Sequence, residues 1–261
     1  MNKICVLARK GDLFSLMLVK ELQDLFVDFD VCWLAPTRRK RKFRHERFIG
    51  MSMWSFTFWK DYLGQLRFGR SKALKEIIKD YYPVLLKEDA LDGENVFESL
   101  NDCRDYLFSH GYKYVLVGGV PILPKSFFEN KGVMFVGCHP APLPEVRGED
   151  HLVFTLYYGL YPSVSVYQLD RRIDGGGVFE VVPLDSVTMD DSFYSIQLKL
   201  EVHRAKTLAR FAKKLLSDDA QLHPVRNDGR LHQYKDVTIQ IRKKADENLK
   251  KLFSCNSVVV I

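Results

Sequence analysis

Near its start the chain reads Lys3-Ile-Cys-Val-Leu-Ala8, a short apolar run of the kind that forms a buried parallel strand. Apolar residues then recur at helical spacing over residues 11–26, and a second apolar run follows, Asp30-Val-Cys-Trp-Leu-Ala35. The order strand, helix, strand is typical of a βαβ unit. Such a unit implies a parallel sheet with right-handed crossovers.

Three further segments have the composition of strands. Tyr114-Val-Leu-Val-Gly-Gly119 is the clearest parallel-strand run, Val133-Met-Phe-Val136 is another, and apolar residues alternate in Ser163-Val-Ser-Val-Tyr-Gln168. We therefore predict an α/β fold, a Rossmann-like open sheet that is mostly parallel and is flanked by helices, with a small C-terminal extension.

Two long helices are predicted beyond the first. One spans residues 96–109 and starts near Asp92-Gly-Glu-Asn95, and the other runs to about Leu216 with Thr188 or Asp190 as its cap. Because this last helix covers one flank of the sheet, we place the main domain at residues 1–216. Residues 217–261 form the extension, which ends in a basic amphipathic helix from about Arg242 to Leu252.

The composition is that of a folded globular protein. Of 261 residues, 46% are hydrophobic and 28% are charged, which supports neither disorder nor a fibrous repeat. No apolar run approaches the roughly 20 residues that a membrane-spanning helix needs, and the first residues lack the pattern of a secretory signal. We expect a cytoplasmic protein that does not enter a membrane.

The five cysteines are odd in number, scattered along the chain and never spaced as a CxxC pair. We interpret them as reduced thiols and predict no metal site. They are Cys5, Cys32, Cys103, Cys138 and Cys255.

Much of the net charge of +6 lies in one segment, because seven Lys or Arg residues stand between Arg38 and Arg47. Such a segment can bind the phosphates of RNA or of a nucleotide-linked substrate. It can equally be a solvated basic loop, since a run of charge by itself has no ligand geometry.

The dinucleotide-binding signature is absent. After the first strand, where GxGxxG would stand, the chain has only Arg9-Lys10-Gly11-Asp12. A Rossmann-type nucleotide cofactor therefore has little support.

A rigid loop presents the best catalytic candidate. The chain reads Gly137-Cys-His-Pro-Ala-Pro-Leu-Pro-Glu-Val-Arg-Gly148, and its three prolines forbid a helix. His139 is thereby held just beyond a strand end, and the carboxyl ends of parallel strands are where sites form. The alternative is a structural histidine bonded to a loop carbonyl.

A glycine-rich turn follows the strand at residues 163–168. Asp170 and Asp174 stand in this turn, and Asp174 precedes three glycines. Either carboxylate could face His139, and a carboxylate within hydrogen-bond reach would orient the imidazole and raise its pKa.

These segments together resemble the formyltransferase family. The resemblance rests on Val117-Gly-Gly-Val-Pro-Ile-Leu-Pro124, on His139-Pro-Ala-Pro-Leu-Pro-Glu-Val-Arg-Gly148 and on Leu169-Asp-Arg-Arg-Ile-Asp-Gly-Gly-Gly177, in that order, and it covers about residues 1–200. It implies that a formyl group passes from 10-formyltetrahydrofolate to an amine through a tetrahedral intermediate. His139 matches the family's catalytic His and Asp174 its catalytic Asp.

One position departs from the family pattern. The family has Asn two residues before the catalytic His, and this chain has Gly137. The resemblance implies that His and Asn donate hydrogen bonds to the negative oxygen of the intermediate, and that Asp helps to remove the amine proton. The loss of one such donor typically costs about 10²–10³ in rate, unless another group or a close ligand fills the space.

The resemblance also implies a folate site. Backbone groups of the loop after Val117 and of the turn after Gln168 would hold the pterin, and apolar side chains would line the site. We assign Arg147 and Gly148, the Arg-Gly pair of the first motif, to substrate binding. The predicted folate contacts are Gly118, Gly119, Ile122, Leu123, Leu169 and Asp170.

The substrate is the least determined feature. The extension at residues 217–261 is closest in size to that of the nucleotide-sugar N-formyltransferases, which favours a nucleotide-linked amino sugar. The alternatives are a catalytically impaired or repurposed homologue, such as a folate-binding module or a hydrolase of the formyl donor, and a tRNA-related formyltransferase. The final helix and Val258-Val-Val-Ile261 could also pack between the subunits of a homodimer.

Overall fold

The computed structural model describes residues 3–36, 95–217 and 225–256. The strands are β1 (Ile4–Arg9), β2 (Asp30–Leu34), β3 (Val96–Phe97), β4 (Tyr114–Val117), β5 (Met134–His139), β6 (Arg147–Gly148), β7 (Ser163–Gln168), β8 (Val178–Pro183) and β9 (Leu231–His232). The α-helices are α1 (Leu13–Asp24), α2 (Leu100–Ser109), α3 (His151–Tyr157), α4 (Phe193–Leu216) and α5 (Ile239–Asn256). The predicted contact of the basic segment with phosphates and that of residues 258–261 with a second subunit lie outside the described residues.

Within these ranges the main sheet has the order β3-β2-β1-β4-β5-β7-β8. The first five strands are parallel, and β7 and β8 are antiparallel. The predicted α/β fold with a mostly parallel open sheet is therefore confirmed. The strand order reverses between β1 and β4, and their carboxyl ends meet at the edge of the sheet where sites form in such folds.

Alternation along β1 explains why the strand is apolar throughout. Ile4, Val6 and Ala8 belong to the core beneath α1 and α4. Cys5 and Leu7 belong to the core beneath α2 on the opposite face. Because helices cover both faces, a parallel strand here needs apolar residues at every position. The same cores bury Cys32, Cys103 and Cys138, which like Cys5 are free thiols.

Several predicted boundaries are wrong by a few residues. Val96–Phe97 pairs with β2 as an edge strand, so α2 begins later, where Ser99 accepts from the backbone N–H of Asp102. The cap of α4 is Ser192, which forms a reciprocal capping box with Ser195. His139 is the last residue of β5 rather than the first residue of the loop.

Residues 225–256 pack onto the same structure. Val225 bridges Val178, β9 pairs with β6, and α5 lies against α3. The Asn248 amide donates to the carbonyls of Leu156 (2.7 Å) and Tyr157 (3.2 Å), two of the last carbonyls of α3, and so ties α5 to the end of that helix. The division into 1–216 and 217–261 stays a prediction. None of the helices described is both long and apolar enough to cross a membrane.

Candidate active site

His139 and Gly137 share one face of β5, because side chains alternate along a strand. Cys138 points to the opposite face and joins the core beneath α4. The His139 side chain is 7% exposed, so the sheet and its loops enclose the ring.

Ser165 explains why the loop after His139 is rigid. It pairs with His139 across β5 and β7, and its hydroxyl donates to the Ala141 carbonyl at 2.7 Å. The same oxygen accepts from the backbone N–H of Leu143 at 2.8 Å. Two hydrogen bonds from one buried serine therefore supplement the prolines in holding the loop. Nothing in the sequence around Ser165 singles it out as a residue of the site.

The structure brings His139 and Asp174 together. Nδ1 of His139 lies 3.6 Å from Oδ2 of Asp174. Nε2, on the other side of the ring, is buried and has no hydrogen-bond partner among the described residues. Burial lowers the pKa of His139, and the Asp174 carboxylate opposes this shift without cancelling it. The carboxylate thus raises the pKa as expected, but the net shift is downward because desolvation of the ring outweighs it.

Asp174 is held through both carboxylate oxygens and its backbone carbonyl. Oδ1 accepts from the Tyr167 hydroxyl at 2.8 Å, and Oδ2 accepts from the backbone N–H of Gly148 at 3.1 Å. Its backbone carbonyl accepts from Nδ2 of Asn227 at 2.8 Å. Asp174 has a φ of 45°, a left-handed conformation that costs a non-glycine residue of order 1 kcal/mol, so these contacts hold it in place.

Arg147 joins the Asp174 turn to the C-terminal segment. Its Nη1 donates to the Gly229 carbonyl at 2.6 Å and its Nη2 to the Ile173 carbonyl at 2.8 Å. The guanidinium makes no ion pair with a carboxylate that the structure describes. Both residues of the predicted Arg-Gly pair thus contact the turn of Asp174.

The site differs from the sequence expectation beside Gly137. A Cβ atom at this position would lie 2.7 Å from Cδ1 of Leu169 and 3.3 Å from Cε1 of Tyr167. Two side chains therefore already occupy the space next to the glycine. Although Gly137 lacks the side-chain donor that the family's Asn supplies, no empty space remains beside it.

The predicted folate contacts divide into two groups at the carboxyl ends of β4 and β7. Ile122 is 75% exposed, and Leu169 is half-buried at the edge of two cores. Leu123, in contrast, is buried beside Phe127, so its side chain faces the core. An exposed Ile122 and a half-exposed Leu169 fit an apolar lining for a folate ring.

The remaining predicted folate residues have other contacts in the structure. The Gly118 carbonyl accepts from the Ser15 hydroxyl at 2.6 Å. Gly119 has a φ of 63°, and a Cβ there would lie 1.8 Å from Asp12. The carboxylate of Asp170 is paired with Arg172 at 2.7 Å and faces solvent.

A partly buried arginine also acts on this end of β5. Nε of Arg204 donates to the Cys138 carbonyl at 2.8 Å, its Nη1 pairs with Glu201 at 2.6 Å, and its guanidinium lies over the Phe14 ring. Arg204 therefore ties α4 to the strand end that bears His139. Its charge also contributes to the lowered pKa of His139, after burial.

Sequence reasoning missed Tyr167, Asn227 and Arg204. Tyr167 had a usable signal, because its place in an alternating strand puts it on the face opposite Val166. Asn227 and Arg204 had none, since one stands in a polar segment and the other in a long helix. Across the described ranges, no group of three or more His, Cys, Asp or Glu side chains is arranged to hold a metal ion.

The fold is that of solved formyltransferases. A 4-N formyltransferase from Francisella tularensis matches with a TM-score of 0.55 and 12% identity, over 95% of this chain and 87% of its own. A sugar N-formyltransferase from a Shewanella species matches with 0.55 and 13%, over the same shares. Phosphoribosylglycinamide formyltransferase from Campylobacter jejuni matches with 0.51 and 14%, over 83% of this chain and 98% of its own.

No protein-family model matches the chain, and no curated protein sequence matches it. The likeness to solved structures therefore shows the fold alone. The site itself offers a buried imidazole, with one nitrogen toward a fixed carboxylate and the other without a hydrogen-bond partner in the part of the chain that the structure describes. Such a pair can accept a proton and return it.

Proposed function

Because the chain has the formyltransferase fold, we propose that it is an N-formyltransferase that acts on the amino group of a nucleotide-linked amino sugar, with 10-formyltetrahydrofolate as donor. One observation supports this most: Nδ1 of His139 faces Asp174 while its buried Nε2 has no hydrogen-bond partner among the described residues. Two of the solved structures with this fold are named as a 4-N and a sugar N-formyltransferase, which supports the class of amine.

The donor supplies the formyl carbon. The amine nitrogen forms a bond to this carbon, the bond from the carbon to N10 of the folate breaks, and one proton passes from the amine to N10. Within this reaction the chain has to hold the two substrates and to move that proton.

In the proposed reaction His139 moves the proton. Its lowered pKa keeps the ring neutral near pH 7, and the carboxylate of Asp174 favours the tautomer with the proton on Nδ1. Nε2 then accepts the amine proton, and the imidazolium that results is stabilised by Asp174. In this form Nε2–H can donate to the formyl oxygen and then release its proton to the leaving nitrogen.

Two further groups fit the substrates. The charge of Arg147 has no described carboxylate as partner and suits an anionic group such as a nucleotide phosphate. On the donor side, the exposed side chain of Ile122 and that of Leu169 would contact the folate ring.

The first experiment is calorimetric titration of the full chain with 5-formyltetrahydrofolate, a stable mimic of the donor. Saturable binding near one equivalent is the expected result. The second step measures tetrahydrofolate release from 10-formyltetrahydrofolate with a panel of nucleotide-linked amino sugars, with and without each amine.

The outcomes separate the alternatives. Release that requires an amine supports the transferase, whereas release without any amine identifies a hydrolase of the donor. Folate binding without release identifies a binding module. Binding of tRNA with a steep salt dependence, together with no reaction on any sugar, would favour the tRNA-related alternative.

A further inference from the structure

Tyr167 and Gly137 face each other in the sheet. They are directly paired partners in the antiparallel register of β5 and β7. A Cβ at position 137 would lie 3.3 Å from Cε1 and 3.6 Å from Cζ of Tyr167, and Cζ bears the hydroxyl. The hydroxyl end of the ring therefore stands beside the glycine. A longer side chain at 137 would compete with the ring for this volume.

The same hydroxyl reaches the candidate catalytic pair. It donates to Oδ1 of Asp174 at 2.8 Å, on the oxygen that does not face His139. Burial and the Asp174 carboxylate raise the pKa of Tyr167 well above its ordinary value, so the phenol remains a donor at any pH of interest. A hydrogen bond to an ionised acceptor is among the stronger ones in proteins.

We propose that Tyr167 is a positioning residue of this site: in the space beside Gly137, its hydroxyl holds the Asp174 carboxylate in the orientation that faces His139. The inference rests on the proposed function only in that His139 and Asp174 perform the chemistry. The Tyr167 ring can take this position only because residue 137 has no side chain. Gly137 and Tyr167 therefore act together in holding Asp174.

The test compares two tyrosines of similar environment. Tyr112 is also buried, and its hydroxyl donates to Asp30 at 2.8 Å at the opposite, amino end of the sheet. Tyr167→Phe and Tyr112→Phe therefore each remove a part-buried hydrogen bond from a phenol to a carboxylate. Only the first of these bonds touches the site, so Tyr112→Phe controls for the loss of stability.

The measured quantity is the titration midpoint of His139 in the full chain, which is observed through the NMR signals of its imidazole ring. Removal of the Tyr167 hydroxyl lets the Asp174 carboxylate turn away from His139, so the imidazolium is stabilised less and the titration midpoint of His139 falls by about half a unit. Among the described residues, the other charged or titratable groups that act on His139 are Arg204 and Glu201 on α4 and His151 on α3, and both variants retain them. Tyr112→Phe leaves the midpoint where it is.

A second variant probes the pair from its other side. Gly137→Ala places a methyl group against the Tyr167 ring, and this displacement of the hydroxyl also lowers the midpoint of His139. In a background of Tyr167→Phe, Gly137→Ala has no further effect, because the bond to Asp174 is already lost. A double-mutant cycle measures this coupling.

The proposal is overturned if Tyr167→Phe leaves the midpoint unchanged, or if Tyr112→Phe moves it equally. It is also overturned if the effects of Gly137→Ala and Tyr167→Phe simply add. Folate titration of the unmodified chain is run in parallel. If folate does not bind but Tyr167→Phe still shifts the titration midpoint of His139, the result contradicts the proposed function and still supports the positioning role of Tyr167. Where formyl transfer is measured, Tyr167→Phe lowers kcat roughly tenfold with KM little changed.

Discussion

Asn227 donates from its side-chain amide to the backbone carbonyl of Asp174 at 2.8 Å, although 53 residues separate the two along the chain. Asn227 is 1% exposed and comes from the C-terminal segment. That segment therefore does more than cover the sheet. It holds the left-handed turn that aims a carboxylate at His139.

The turn should loosen when this bond is removed. Asn227→Ala is expected to lower the free energy of unfolding by about 1 kcal/mol and to lower kcat more than stability alone explains, because Asp174 loses its orientation. Thermal melting and formyl transfer measure the two effects. Asn130→Ala, which removes an amide that accepts from Gly132 in an exposed turn, is the matched control and should leave kcat unaltered. Equal kcat in the two variants would contradict the role given to Asn227.

His139 and Asp174 should each be required for transfer. His139→Ala and Asp174→Asn are expected to lower kcat by at least about 10²-fold, the usual share of a general acid or base, while 5-formyltetrahydrofolate still binds. Steady-state rates and calorimetry separate the two quantities. His110→Ala, at an exposed histidine that ends α2, serves as the control. Turnover retained by either site variant would remove that residue from the mechanism.

Gly137→Asn tests whether the family's amide can be restored. Since a Cβ there would lie 2.7 Å from Leu169 and 3.3 Å from the Tyr167 ring, the substitution is expected to lower the melting temperature and not to raise kcat. Adding Leu169→Ala should recover part of the stability, and Leu169→Ala alone is the reference. A rise in kcat of about 10²–10³ for the single variant would show instead that the missing donor limits the enzyme.

The pH dependence of stability should report the buried histidines. Burial lowers the pKa of His139, His203 and His232, so in the folded protein each binds a proton less readily than in the unfolded chain. Their contribution to stability is complete above the unfolded pKa of about 6.5 and is lost as the pH falls through the lower folded value. Melting temperatures should therefore drop from about pH 6.5 downward.

His232 offers a clean check of this expectation. Its ring stacks on Phe154 at 3.9 Å, and its Nε2 is bonded to the Tyr158 hydroxyl at 3.3 Å. His232→Phe keeps the stack and should make the acid-side loss of stability shallower. Tyr158→Phe removes the same hydrogen bond without removing a titrating group, so its curve should run parallel to that of the unmodified chain. If the stability curves of both variants run parallel to that of the unmodified chain, His232 does not contribute to the acid-side loss of stability.

The boundaries of the helices and strands are where local sequence patterns predict the structure least well. Residues 96 and 97 have a sequence that suits the start of a helix, and they form a strand because the open edge of β2 offers them hydrogen bonds. The start of α4 depends on a capping box between Ser192 and Ser195, which is local but competes with other cap residues nearby.

The sequence by itself determined the sheet and the catalytic candidates. Apolar runs and helical spacing predict β1, β2, β4, β5 and β7 and the helices α1, α2 and α4. The proline loop singles out His139, the glycine turn offers Asp170 or Asp174, and the resemblance to the formyltransferase family selects Asp174. These signals are local, because backbone preference and side-chain alternation act between near neighbours.

Only the tertiary structure decided how the site is held. The bond from Asn227 to Asp174, the place of Tyr167 beside Gly137 and the methyl of Leu169 in that space all join residues from different segments. Such contacts depend on strand register and on how distant segments pack. The periodicity of the sequence predicts neither of these. The direction of the His139 pKa shift has the same origin, since burial is a property of the packed fold.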